Sequence, residues 1–185
     1  MQFEANYWGN CCNTFDEEQK HFVYGHFMGL TLEHYRIVTP KIRILDVGGG
    51  PVSMLLKTTE LEEGLVVDPL RYPYWTVLRY GMKNISVKVK SGEDMTERGW
   101  DEVWLYNCLQ HTIDPERIIQ NCLKAAKVFR VFEWLDIHPH EGHPHMLTES
   151  AMNDWIGQKG QTVKLDNVRG CTGNAYYGVF TGNPS

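Results

Sequence analysis

The run Lys41-Ile-Arg-Ile-Leu-Asp-Val-Gly-Gly-Gly-Pro-Val-Ser-Met-Leu-Leu-Lys57 decides how the rest of the chain is read. An apolar segment that ends in Asp46, then three glycines, then a second apolar run is the pattern of a buried parallel strand turning tightly into a helix. Glycine accepts positive φ and leaves space where a side chain would stand, so a ligand can approach the backbone between strand end and helix start. A turn that merely has to be tight would need the same residues, so the neighbouring segments must decide.

The chain of 185 residues suits one domain with a substantial core. With 42% hydrophobic and 22% charged residues it belongs among globular rather than disordered or fibrous sequences. No apolar run has membrane-spanning length, and the start Met-Gln-Phe-Glu-Ala-Asn-Tyr-Trp has neither a basic nor an apolar signal character, so a soluble cytoplasmic protein is expected. The cysteines, Cys11, Cys12, Cys108, Cys122 and Cys171, form no metal-like pairs, and their odd number suits a reducing compartment. A net charge of −5 without a Lys/Arg cluster gives no support for a nucleic-acid partner.

Downstream, Gly64-Leu-Val-Val-Asp-Pro-Leu70 reads as a second buried strand closed by an acid. Asp68 stands about twenty residues beyond Asp46, the spacing at which nucleotide folds offer a carboxylate to ribose hydroxyls, although an Asp-Pro turn alone would also place an acid there. A helix from Pro73 to Lys83 and an edge-like strand from Ile85 to Lys90 follow, then Ser91-Gly92-Glu93-Asp94, either a solvated turn or acids placed to meet a base. Asp101 to Asn107 is a fourth strand, and Asp114-Pro115 caps a helix reaching Lys127. A fifth strand runs from Val128 to Leu135, a helix capped by Thr148 ends near Gly157, and strands Gln161 to Leu165 and Ala175 to Thr181 form an antiparallel hairpin. Ahead of all this, Phe15 to about Val38 reads as one amphipathic helix with Thr14 as its cap. Tyr7-Trp8-Gly9-Asn10 is either an aromatic staple on the core or a flap over a ligand.

Strands and helices in this order, with Leu-Asp-Val-Gly-Gly-Gly-Pro, Val-Val-Asp-Pro-Leu and Asn-Cys-Leu-Gln-His-Thr-Ile-Asp-Pro at the strand ends, resemble the class I S-adenosylmethionine-dependent methyltransferases. The resemblance covers about Arg43 to Phe180. It implies a Rossmann-like, doubly wound, seven-stranded α/β sheet with a C-terminal antiparallel β-hairpin. Residues 41–185 would form that domain, and 1–40 a helical segment covering the cofactor site. S-adenosyl-L-methionine is the implied cofactor. Asp46, Gly48, Gly49 and Gly50 would face its amino-acid half, Asp68 its ribose, and Glu93 or Asp94 its adenine, with Asn107 on the same side. The sequence departs from the family at Val52, where a further glycine is common. A nicotinamide dehydrogenase would need glycine at position 53, which is Ser53. A binding module without methyl transfer keeps the same motifs.

His111 follows the fourth strand, where open sheets place substrate, and a neutral imidazole accepts a proton near neutral pH; it would equally serve to cap the next helix. His138, His140, His143 and His145 form a histidine-rich loop that lacks accompanying cysteines, so it reads as an acceptor-facing loop rather than a metal site, with His143 a second catalytic candidate. Asn107 is followed by Cys108 and Leu109, not by the Pro-Pro-aromatic run of methyltransferases acting on DNA amino groups. A small-molecule acceptor is expected, with no nucleic-acid or membrane partner and the oligomeric state open.

Overall fold

The computed structural model describes residues 2–184. Its centre is a seven-stranded sheet in the order β5-β4-β3-β6-β7-β9-β8. The parallel strands are β3 (Arg43–Val47), β4 (Glu63–Asp68), β5 (Ile85–Val89), β6 (Trp100–Tyr106) and β7 (Ala126–Trp134), and β9 (Cys171–Thr181) runs antiparallel to both β7 and β8 (Gln161–Val168). Strand order reverses between β3 and β6, which opens a crevice beyond their carboxyl ends.

The register explains why these strands are apolar throughout. Leu45, Leu65, Val103 and Phe129 align across the sheet, as do Val47, Val67, Leu105 and Val131, and all face one core layer. That layer is closed by α4 (Pro115–Ala125) and α5 (Glu149–Ile156) through Ile118, Ile119, Leu123, Met152 and Ile156. Side chains alternate along a strand, so Ile44, Val66, Trp104 and Phe132 face the opposite layer. There they meet α2 (Cys11–Phe27) through Tyr24, with Met28 just beyond its end, and α3 (Tyr74–Gly81) through Tyr80. With both faces covered the sheet is doubly wound, and strands of this kind lose the polar alternation of a half-exposed sheet.

Local chemistry fixes the helix ends. Asp114 accepts from Arg117 N at 3.0 Å ahead of Pro115, and Thr148 caps α5 through Ala151 N, while Gly157 at φ +70° closes it. The expected helix from Phe15 to Val38 is shorter. It starts at Cys11, capped by Asn10 through Cys12 N at 2.9 Å, and ends at Phe27, where Gly29 turns the chain at φ +69°. Residues beyond it form the hairpin β1 (Thr31–Glu33) and β2 (Arg36–Val38), because His34 and Tyr35 adopt the left-handed turn that joins two short strands. Thr14 instead donates to Cys11 O. The segment of residues 1–40 is therefore only partly helical, with Tyr7 and Trp8 on a first helix, α1 (Gln2–Trp8).

Two further differences concern connections. The helix expected from Pro51 to Lys57 is a pair of 3-10 turns, Gly50–Val52 and Met54–Lys57. The terminal strands extend to a two-residue turn at Arg169 and Gly170, both at positive φ. Arg130 ties the layers together: it pairs with Glu102 at 2.7 Å and donates to Met28 O at 2.9 Å at the end of α2. Among the described residues no helix is long and apolar enough to cross a membrane.

At the sheet end away from the crevice, Gly182 donates to Lys127 O, and a Cβ there would lie 1.9 Å from Ala126 O. Gly182→Ala is expected to lower stability by about 1–3 kcal/mol through this forced backbone shift, read as an earlier urea midpoint at unchanged slope.

Candidate active site

Beyond the carboxyl ends of β3, β4, β6 and β7 lies a cavity of about 1190 Å³. The turn Gly48–Gly50 forms its floor. Gly48 and Gly50 have φ of +74° and +62°, and a Cβ on Gly49 would stand 2.5 Å from the Asp46 carboxylate, so the turn can be built only from glycine. The turn is held from below by a buried polar knot. Ser53 Oγ and Tyr106 Oη both donate to Asp46 Oδ2, at 2.5 and 2.7 Å. Tyr106 Oη also accepts from Met54 N, and Tyr80 Oη donates to Gly50 O while accepting from Ser53 N. Asp46 itself is fully buried and does not line the cavity. Expected against the cofactor's amino-acid half, it lies under the turn, on the core layer of Tyr80 and Tyr106.

Asp68 lies on the wall, at the end of β4. Its carboxylate accepts from Gly50 N at 3.2 Å, Leu70 N at 2.9 Å and Tyr72 Oη at 2.9 Å. The second strand-end acid is thus bonded directly to the glycine turn. Glu93 and Asp94 border the cavity from the 3-10 turn Gly92–Asp94 after β5. Glu93 accepts from Ile113 N and Asp114 N, which anchors the loop after β6, and these bonds outweigh burial to hold its carboxyl below the ordinary range.

The loop after β6 carries the histidine chemistry. Glu133, fully buried at the end of β7, accepts from Cys108 N and Leu109 N and so fixes the loop's first residues. His111 Nδ1 lies 2.6 Å from Gly142 O. A carbonyl cannot donate, so Nδ1 carries the hydrogen and neutral His111 keeps Nε2 as its basic nitrogen. Gly142 N in turn donates to His140 Nδ1 at 3.2 Å. The rings of His111 and His143 meet edge to face at 4.4 Å, and His140 lies 4.4 Å from His143. All three histidines line the cavity, whereas His138 and His145 do not. Among the described residues no group of histidine, cysteine and acid side chains is arranged to hold a metal ion.

The opposite wall combines Asn107, Tyr7 and Trp8 with residues of α2 and β9 that the motifs do not mark. Asn107, in a left-handed conformation at the end of β6, donates to Glu17 Oε1 at 3.0 Å, and Glu17 pairs with Lys20 at 3.3 Å. Tyr7, Trp8, Glu17, Lys20 and His21 line the cavity from α1 and α2, and Trp8 lies over Gly50. Cys171 to Asn174 of β9 complete that side. A signal for α2 was present: Glu17, Lys20, His21 and Tyr24 recur at helical spacing on the buried face, where charge is unusual. Glu133 likewise interrupts the apolar run Val-Phe-Arg-Val-Phe-Glu-Trp-Leu.

Burial pushes the carboxyls of Asp46 and Glu133 up to about 7. Both hold protons that the unfolded chain releases near pH 4, so they stabilise the fold in acid and lose that stabilisation as pH rises towards neutrality. His21 has the opposite sign: burial lowers it well below its ordinary value, and its contribution is lost as pH falls. Asp46→Asn removes one titration, so wild type should lose stability relative to this variant between about pH 5 and pH 8. Urea denaturation of both proteins at the two pH values measures the difference.

No protein-family model matches the chain, and no curated protein matches it in sequence. Among solved structures it is similar to the methyltransferase complexed with the Trm112 activator of Haloferax volcanii, at TM-score 0.63 and 15% identity over 86% of this chain and 79% of that one. It is similar to magnesium protoporphyrin IX methyltransferase of Synechocystis, crystallised with SAH, at TM-score 0.58 and 12% identity over 92% and 87%. The N-terminal domain of EvdMO1 with SAH bound matches at TM-score 0.52 and 14% identity over 91% and 81%. At these identities the likeness is one of architecture, and the chain has the Rossmann-like fold of the class I S-adenosylmethionine-dependent methyltransferases.

Proposed function

We propose that the protein is an S-adenosylmethionine-dependent methyltransferase acting on a small-molecule acceptor. One observation carries the reading: the glycine turn and Asp68, joined through Gly50 N, share a single cavity with His111. The cradle fits the cofactor. Glycines that a Cβ would fill leave the backbone open to its amino-acid half, and Asp68, a carboxylate on the cavity wall at the end of β4, suits ribose hydroxyls. Bound there, the cofactor supplies a methyl group on a sulfonium. Asp68 and the glycine turn orient it, the turn of Glu93 and Asp94 borders the adenine end, and Trp8 helps exclude water above Gly50.

Asp46 serves this site from behind, through the shape of the turn. His111 is the proposed base: Nδ1 donates to Gly142 O, which sets the tautomer whose Nε2 is the basic nitrogen for the proton of an acceptor hydroxyl. His143, packed against His111, is the second candidate. Ser53 opposes a dinucleotide reading, because it occupies the position of the third glycine and its hydroxyl is spent on Asp46. Similar structures add support for the cofactor, since two hold SAH, and for a small acceptor, since one is magnesium protoporphyrin IX methyltransferase.

The test is calorimetry with S-adenosylhomocysteine together with a transfer assay over an acceptor panel. Asp68→Ala should weaken binding by about 1.5–3 kcal/mol, the range for hydrogen bonds to a charged group. His111→Ala should leave that affinity within about twofold while lowering transfer by about 10²-fold or more. Binding of NAD with no binding of S-adenosylhomocysteine refutes the assignment; binding without transfer to any acceptor returns the chain to a module that only holds the cofactor.

A further inference from the structure

The sheet ends on one side at β5, whose outer edge has no backbone partner among the described residues. An open parallel-sheet edge is a template for another strand, and proteins commonly guard it with lysines. Here Lys88 and Lys90 are both drawn onto Glu97, at 2.9 and 3.7 Å, and Lys90 also donates to Thr96. The helix that packs at this edge, α3, buries only Thr76 and Tyr80. Its outward stripe is apolar: Trp75, Leu78 and Met82 are 55%, 49% and 88% exposed, beside Tyr74. Such a contiguous exposed patch marks an interaction surface.

We propose that β5 pairs antiparallel with β5 of a second copy of this chain about a two-fold axis through Val87. The sequence of the strand is self-complementary in that register. Ile85 falls opposite Val89, Val87 opposite itself, and Ser86 opposite Lys88, so apolar residues meet apolar residues and no lysine faces a lysine. Centring the axis on Lys88 would oppose two lysines, and centring it on Ser86 would leave Lys88 and Val89 outside the pairing. Ile85 and Val87 belong to the core layer that α3 covers, so two copies of α3, each with its Trp75, Leu78 and Met82 stripe, flank the seam on one face. The result is a continuous fourteen-stranded sheet across the dimer, counted as seven strands from each copy.

Analytical ultracentrifugation of the full chain from about 1 to 100 μM tests this, with two substitutions at exposed Ser86, which lies outside the cavity. Ser86→Lys places lysine opposite Lys88 twice per dimer and should raise the dissociation constant roughly fivefold or more. Ser86→Glu places opposite charges there and should lower it by a similar factor. Circular dichroism verifies that both variants are folded. A wild-type monomer throughout the range overturns the proposal, and so does a dimer that both substitutions leave unchanged or shift in the same direction.

Discussion

The buried hydrogen-bond knot around Asp46 sets the shape of everything above it. One carboxylate oxygen takes both the Ser53 and the Tyr106 hydroxyl, and the phenols of Tyr106 and Tyr80 pass that restraint to Met54 N, Ser53 N and Gly50 O. Its other oxygen is buried with no hydrogen-bond partner among the described residues, and burial raises its carboxyl towards neutrality. A polar group placed in the core at such cost is expected to fix a geometry rather than add stability. Here the geometry is the glycine turn, which approaches Asp46 so closely that a Cβ on Gly49 would overlap it.

This arrangement replaces a helix. After the turn the chain makes two 3-10 turns, and backbone groups that a helix would bond internally are met by tyrosine hydroxyls from α3 and β6. The floor of the cavity is therefore held by side chains distant in sequence. Its walls follow the same economy. Glu133 of β7 fixes the loop of His111, Glu93 fixes the next turn of that loop, and Gly142 holds His111 and His140 in opposite tautomers. The covering wall comes from α1, α2 and β9.

The seven strands of the main sheet and the two strong helices were legible because buried parallel strands and Asp-Pro or Thr caps leave local signatures, as at Leu45, Val66, Asp114 and Thr148, whereas the short hairpin β1-β2 was read as helix. The boundary of α2 was not, since Gly25 and Gly29 look alike in sequence and only Gly29 turns the chain at positive φ. Asp46 was read as facing the cofactor because its position matches the motif; the strand's alternation puts it on the layer of Val66 and Trp104, where Ser53 and Tyr106 bond it, and those partners lie too far off in the chain or in the fold for the motif to show them. The cavity-lining part of α2 escaped notice for a related reason. Glu17, Lys20 and His21 were not marked as lining a site, because their burial follows only from packing of α2 on the sheet.

In the proposed reading the glycine turn and Asp68 form one half of a methyl-transfer site whose other half holds His111. A crystal structure of the protein with S-adenosylhomocysteine measures this most directly. The ribose hydroxyls are expected on Asp68, the amino-acid portion along Gly48 to Gly50, and the sulfur on the side of the cavity that His111 lines. S-adenosylhomocysteine bound away from Asp68 and the glycine turn, or with its sulfur directed away from the histidines, would contradict it.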